Sequence, residues 1–398
     1  MRQSHRTSQT VPFYRNARVL AGLAQAACAI GVVAFAWLLL STMQQNLRQQ
    51  GIPISFAFLP QPAGFSIAEG PPFHPSQSYA TAFGVGVVNT LRAAVAGIIL
   101  ATILGIGIGV ARLSRNWLLA RLATLYVETF RNVPLLLWLV FIYAAIRDTL
   151  PRLREGPALL GGTILMSNRG IALAWPQPSA TYDAFRPWLL VGVGVGLAVW
   201  WWRRYTARRR GERGSPRAWC HGLAVCVGLW VSGFVLTWAT AAAPLVWSVP
   251  RIQGFNYQGG ITLSPEFAAL LFGLVVYTAS FIAEIVRAGI LAVPRGQREA
   301  AQALGLSERQ TFVLVIFPQA LRVIIPPLIN QYLNLTKNSS LAIAVGYPDV
   351  FSVGLTINNQ TGQAIPFVVL IMVTYLSMSL LTSWVLNLVH RRLALPAG

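Results

Sequence analysis

The sequence predicts an all-α, polytopic membrane protein of about eight transmembrane helices, and three observations carry that prediction. Hydrophobic residues make up 55% of the 398-residue chain and charged residues only 11%, against about a quarter in an ordinary soluble chain. Eight stretches, one of them short, are apolar over the roughly 20 residues that a helix needs to cross a hydrocarbon core of about 30 Å. The Arg residues fall unevenly among the segments between those stretches, the pattern of a protein oriented by retained basic loops.

Residues 1–18 carry Arg2, Arg6, Arg15 and Arg18, and residues 19–43 form a first span without any charge. This run is longer than the roughly 7–15 residues of a signal-peptide core and no small-residue cleavage pattern ends it, so it reads as an uncleaved anchor. Residues 44–81 hold six Pro and read as an outer loop. The second span, 82–111, has Arg92 as its one charge, and the third covers 122–146. A fourth, 187–202, would rise only about 24 Å as a helix. It closes on Trp200, Trp201 and Trp202 followed by Arg203 and Arg204, which suits an aromatic belt with snorkelling cations. Spans at 218–243, 267–293, 321–345 and 366–389 follow, and then a tail at 391–398.

With the N-terminus inside, twenty Arg lie in inner segments and seven in outer ones. One helix more or fewer would put the basic run 203–217 and the segment 295–322 on opposite sides, so an even count with both termini inside is expected. Placing the charges also disposes of the nucleic acid that a net charge of +20 suggests. The Arg run between two spans reads as a topology determinant that meets lipid headgroups.

Of the basic residues only Lys337 is Lys, and it stands between Thr336 and Asn338. A phosphate-binding loop needs Gly-Lys-Ser/Thr, so this chain is not expected to hydrolyse ATP by that machinery. Cys28, Cys220 and Cys226 are scattered and the four His residues are far apart, which supports neither a disulfide framework nor a metal site. Gly105, Gly107 and Gly109 alternate inside a span, where close helix packing is the reading.

The inner segment after the sixth span runs from Pro294 through Glu299-Ala300-Ala301, Gly305 and Ser307 to Pro318 and Arg322. Local rules predict a short helix, a break at Gly305 where a left-handed residue is tolerated, Ser307 as the N-cap of a second helix, and Pro318 ending or bending it. The pattern resembles the EAA loop of ABC importer permeases: Glu299, Ala300, Ala301, Gly305 and Pro318 match in identity and spacing, while Val315 and Phe317 are apolar replacements. The likeness extends to the polar amino acid uptake branch, of histidine/glutamine type. It is carried by Asn89-Thr90-Leu91, the stretch 111–117, Tyr126 to Leu137, Ala283 to Gly289 and Leu335 to Leu341. With Ser167-Asn168-Arg169-Gly170 and the added helices, the chain is similar to the longer permeases of the general L-amino acid transporters of Gram-negative bacteria. Trp138 stands where that family usually carries Gln, so an amide available to a polar solute is replaced by an indole.

The resemblance implies a type I ABC importer permease core of five helices plus an N-terminal helix and an inserted helical hairpin. The first two core helices are expected at 82–146, an insert of periplasmic loops and a two-helix hairpin at 147–265, and the rest of the core at 266–390, with the coupling loop at 294–322. It implies an inner-membrane permease for L-amino acids that binds no cofactor itself. The expected partners are an ATPase subunit dimer carrying ATP and magnesium, a second homologous permease, a periplasmic amino-acid-binding protein and membrane lipid, with no nucleic acid. An ion-coupled secondary transporter or channel is the alternative, and the docking loop is what separates the two.

Glu128 with Arg131, and Glu284 with Arg287, form two Glu-x-x-Arg pairs inside spans, each on one helix face. Charges in a membrane face a protein interior or a wet cavity. On straight helices Glu128, Arg287 and Glu284 fall about 9–14 Å from the inner surface, so the two pairs are expected to meet across helices at a cytoplasmic gate. A static pair that packs the core is the alternative. The seventh span, with Pro326, Pro327, Asn330, Asn334, Lys337, Asn338, Ser339 and Ser340, is polar enough to line a cavity. Asn334, Lys337, Asn338 and Ser339 join the four ionised residues as the expected pathway.

Overall fold

The computed structural model describes residues 17–49, 55–209, 217–240 and 242–393. The expected segments 1–18 and 391–398, and the middle of the Arg run 203–217, lie wholly or partly outside the described residues. Helix α1 (Ala17–Gln49) is the first span and is exposed along nearly its whole described length.

The core is built on α7 (Pro265–Leu291), the most deeply buried of the spans. Its start is fixed by the Ser264 hydroxyl, which accepts from Phe267 N at 3.0 Å, with Pro265 in the first turn. Against it lies α2 (Tyr79–Ala111), on which Ala93, Gly97, Ala101, Gly105 and Gly109 recur every fourth residue and all are buried. A Cβ at Gly105 would lie 2.6 Å from Ile282 Cβ, and one at Gly109 would lie 2.8 Å from the Ala283 carbonyl oxygen. Gly107 faces open space. The packing role expected of the three alternating glycines thus belongs to the pair four apart, which shares a helix face.

The third expected span is two helices. Helix α3 (Trp117–Asn132) and helix α4 (Leu135–Ala144) meet at a bend of 103°. Pro134 forces Val133 out of the helical region, to φ −111 and ψ 133. Both helices pack against α7. On α3, Tyr126 donates to the Val276 carbonyl at 2.7 Å, and on α4, Tyr143 donates to Glu266 Oε1 at 3.1 Å. Counted as one crossing, the pair brings the candidate spans from seven to eight.

The fourth span is longer than its apolar stretch, since α5 runs Tyr182–Arg209. Its polar ends belong to the same helix because aromatic and Arg side chains reach back to the interface. It forms a hairpin with α6 (Arg217–Thr240), closed at one end by Phe185 on Phe234 and at the other by Trp200 on Trp219. Outside this hairpin the insert is β-rich, which the helical periodicity did not reveal. Strands β1 (Ala158–Leu159), β2 (Ile164–Ser167), β3 (Gly170–Leu173) and β8 (Ile261–Leu263) form an antiparallel sheet in that order. Strands β4 (Trp175–Pro178) and β5 (Leu245–Ser248) pair as a ribbon on the α5–α6 hairpin, and β6 (Arg251–Gln253) pairs with β7 (Asn256–Gln258).

After α7 come α8 (Arg295–Ala303) and α9 (Glu308–Gln310), which runs through a π turn (Thr311–Ile316) into α10 (Phe317–Asn338) and a 3-10 stretch (Ser339–Val345). The seventh span is therefore the apolar middle of one rod, Glu308–Val345. Pro318 sits in the first turn of α10 instead of ending a separate helix, and α10 continues through Pro326 and Pro327. The π turn before Pro318 opens the hydrogen-bond ladder where Pro supplies no donor. A short helix α11 (Val350–Thr361) and the last span α12 (Ala364–Leu393) complete the chain.

The expected loop 44–81 is structured over its described part. Phe58, Ala63 and Tyr79 pack with Ala82, Val353 and Ile357 into a second core at the N-terminal end of α2. Asn89 Nδ2 donates to the carbonyls of Glu69 and Pro348 at 2.8 and 2.9 Å, and Thr90 Oγ1 accepts from Val350 N at 3.0 Å. Asp349, fully buried, caps α11 by accepting from Ser352 N at 2.8 Å and takes a hydrogen bond from Tyr375.

Burial pushes the Asp349 carboxyl up to about 6. The folded state therefore binds a proton that the unfolded chain has lost, and Asp349 makes stability fall as pH rises from about 4 to 6, by up to about 3 kcal/mol. Asp349→Asn keeps the cap. It is expected to flatten that slope when thermal unfolding of the purified protein is followed across the window; an unchanged slope would assign the dependence elsewhere.

Candidate functional site

Residues 294–322, expected to form the coupling loop, are shaped by two local motifs. Helix α8 ends in a Schellman turn: Leu306 N donates to the Ala301 carbonyl at 3.2 Å and Gly305 N to the Gln302 carbonyl at 2.9 Å, with Gly305 at φ +79. Two residues on, Ser307 and Gln310 form a capping box, each side chain accepting from the other's backbone N–H. The chain thereby reverses sharply between α8 and the rod that becomes α10. Nothing lies within 4 Å of a Cβ at Gly305, so the constraint there is backbone handedness and not crowding.

Ala301 is buried, whereas Glu299, Ala300, Ala303 and Leu304 are exposed, Leu304 at 82%. One face of α8 holds to the core and the other is presented outward. Gln319 Nε2 donates to Gln297 Oε1 at 3.1 Å, tying α10 to α8, and Arg115 of the α2–α3 turn pairs with Glu308 at 2.9 Å. Pro318 is half-buried at the head of α10. Glu299, Ala300, Ala301, Gly305 and Pro318 thus belong to one continuous structural unit.

The four ionised residues are not brought together as expected. Glu284 is held by Arg287 on its own helix, Nη2 to Oε1 at 2.5 Å, and by Arg112 from the end of α2. Arg131 stacks its guanidinium over Phe281 at 5.0 Å. Glu128 is exposed and forms no ion pair among the described residues. The cross-helix pairing of Glu128 and Arg131 with Glu284 and Arg287 does not form: α3 packs on α7 through the Arg131–Phe281 contact, while both Glu284 oxygens are taken by Arg112 and Arg287. Arg112, which topology alone put among the inner basic residues, takes the role expected of the α3 pair.

On α10, Pro326, Asn330, Asn334 and Lys337 share an exposed face at helical spacing. Asn338 is half-buried, and Ser339 is buried with its hydroxyl donated to the Thr336 carbonyl at 2.7 Å. Ser339 therefore belongs to the core side of the rod. Trp138 lies against Phe130 at 4.5 Å and Phe141 at 6.2 Å, so the indole at the position of the family's Gln is part of an aromatic cluster that wedges the α3–α4 bend.

A second polar group at the N-terminal end of α7 was not legible in the sequence. Glu69 accepts from the Ser264 hydroxyl and lies near Arg92, which stacks on Phe267 at 5.6 Å. Burial raises the Glu69 carboxyl above the usual range. The Pro-rich composition around it signalled only a loop. Among the described residues no three His, Cys, Asp or Glu side chains stand together as a metal site would require.

Residues 97–395 match the family model of binding-protein-dependent transport system inner membrane components. Over 365 residues, covering 92% of this chain and 90% of the relative, the sequence is 43% identical to the general L-amino acid transport system permease protein AapQ of Rhizobium johnstonii. It is 42% identical over 384 residues, 96% of each chain, to the putative amino-acid ABC transporter permease protein YhdX of Escherichia coli K12. The glutamate/glutamine/aspartate/asparagine transport system permease protein BztB of Rhodobacter capsulatus is 40% identical, with 90% of this chain and 89% of its own covered.

Glu284→Gln leaves Arg112 and Arg287, whose side chains are only 12% and 32% exposed, without an acid. A loss of about 3 kcal/mol is expected, the lower end for a broken buried pair, whereas Glu128→Gln is expected to stay within about 0.5 kcal/mol. Unfolding of the purified variants in one detergent measures both, and equal losses would contradict the pairing.

Proposed function

We propose, because the chain belongs to the family of binding-protein-dependent transport system inner membrane components, that it is a membrane-spanning permease subunit of an ATP-driven importer of L-amino acids. The general and acidic amino acid systems named for its relatives favour a broad or polar substrate range. In this reading a periplasmic binding protein delivers the solute, a second homologous permease completes the path, and a separate ATPase dimer with its ATP and magnesium supplies the energy. The protein resides in the bacterial inner membrane with both termini in the cytoplasm.

The observation that carries the proposal is the coupling segment. An outward helix face with Glu299, Ala300 and Leu304, followed by the Gly305 reversal, offers a partner a rigid knob. That knob is linked through Gln297 and Gln319 to α10, so displacement by a closing ATPase would be delivered along the rod. The polar face of α10, with Asn334 and Lys337 beside Asn338, is the proposed wall of the solute path. The Glu284 cluster serves as a fixed clamp beside it, and Glu128 and Arg131 as exposed groups open to the second permease or to a zwitterionic solute.

Reconstituted into proteoliposomes with its partners, the chain is expected to support uptake only with ATP; uptake by this chain alone on a proton or sodium gradient would overturn the proposal. Gly305→Asn, whose side chain tolerates positive φ, is expected to keep most of the activity. Gly305→Val, strained by about 1–2 kcal/mol, is expected to lower ATP-dependent uptake at least tenfold with the protein still in the membrane. Orientation is read separately: a Cys introduced at Ser307 should react with an impermeant thiol reagent only after the inner membrane is opened.

A further inference from the structure

A cleft of about 440 Å³ opens between the inner ends of α2 and α7, the first turn of α3 and the coupling segment, a volume within the range of about 300–1,000 Å³ for small-molecule sites. Its polar rim is Ser114, Arg115, Arg298 and Gln302, and Ile290 and Phe312 belong to its apolar lining. The acid present, Glu308, is engaged by Arg115 at 2.9 Å, and Arg298 forms no ion pair among the described residues. The lining thus carries one net positive charge, at Arg298, beside apolar side chains.

We propose that this cleft binds the phosphate headgroup of an anionic lipid from the inner leaflet. Guanidinium groups match phosphate oxygens in geometry and charge, and basic pockets between spanning helices on the inner side take such headgroups. The mouth adjoins Trp117 and Leu118, 76% and 57% exposed, which offer an interfacial aromatic and an apolar surface for the acyl chains. The site does not compete with the proposed ATPase contact. Of α8 only Arg298 and Gln302 line the cleft, whereas Glu299, Ala300 and Leu304 are exposed outside it. A lipid there bridges the start of α3 to α8 and holds the coupling helix against the core. The inference rests on the inward orientation proposed above, which the thiol-labelling experiment decides by itself.

The test places the full assembly in nanodiscs of phosphatidylcholine with phosphatidylglycerol and counts retained phosphatidylglycerol by native mass spectrometry. Wild type is expected to retain it, the double variant Arg115→Gln/Arg298→Gln to bind at least tenfold more weakly, and Arg121→Gln, which removes one charge outside the cleft, to bind as wild type. Millimolar inorganic phosphate is expected not to displace the lipid. Unchanged retention in the double variant, an equal loss in Arg121→Gln, or displacement by phosphate would each overturn the proposal. Should the double variant fail to assemble, a photoactivatable phosphatidylglycerol on wild type decides: labelling within residues 110–119 or 298–312 supports the cleft, and labelling confined elsewhere refutes it.

Discussion

The close approach of α2 to α7 is the constraint on which the rest of the structure depends. Lipid tails are as apolar as Leu, so burial alone does not drive spanning helices together; packing contacts and satisfied polar groups must do so. The buried row Ala93, Gly97, Ala101, Gly105 and Gly109 removes side-chain bulk along one face; Ala279, Ile282 and Ala283 of α7 fill the space at Gly105 and Gly109, and Leu335 of α10 that at Gly97. Once that seam is closed, Arg112 at the end of α2 is delivered to Glu284, and Arg92 near its middle to Phe267. Electrostatic pairing is here a consequence of backbone proximity.

Helix α7 then acts as the axis that joins the two ends of the molecule. At its N-terminal end Ser264 and Glu266 hold Glu69 and Tyr143. Toward its inner end, Gly289 admits Ile324 of α10 so closely that a side chain could not be added without displacement. The coupling segment leaves α7 directly and returns as α10, with Gln319 hydrogen-bonded to Gln297 across the reversal. A force applied to α8 therefore meets two rods packed against each other instead of a slack loop.

What was legible in the sequence was local. Gly305 and Ser307 could be placed because a Schellman turn and an N-cap are decided by a few neighbouring residues. The partner of Glu284 could not, because Arg112 lies 172 residues away and an Arg beyond the end of a span reads first as a topology signal. The depth assigned to Glu128 assumed a straight helix, and although the sequence shows Pro134, it does not show a bend of 103°. Ser339 looked like pathway polarity, yet its hydroxyl bonds the backbone one turn back, as a Ser in a helix readily does. The β-strands of the insert are two to four residues long, too short for alternation to stand out beside spans of twenty or more.

Composition, apolar run length and Arg placement determined by themselves that this chain crosses a membrane many times and where its basic loops fall, because partition between lipid and water acts on each segment almost independently. The EAA-type spacing determined in the same way where the chain reverses at Gly305. Which charges meet, which face of α10 is left open and how residues 55–78 dock on α2 and α11 were decided only by the tertiary structure. Those outcomes depend on how closely helices distant in sequence approach and at what angle, and a row of small residues on one helix has that meaning only against the partner that fills it.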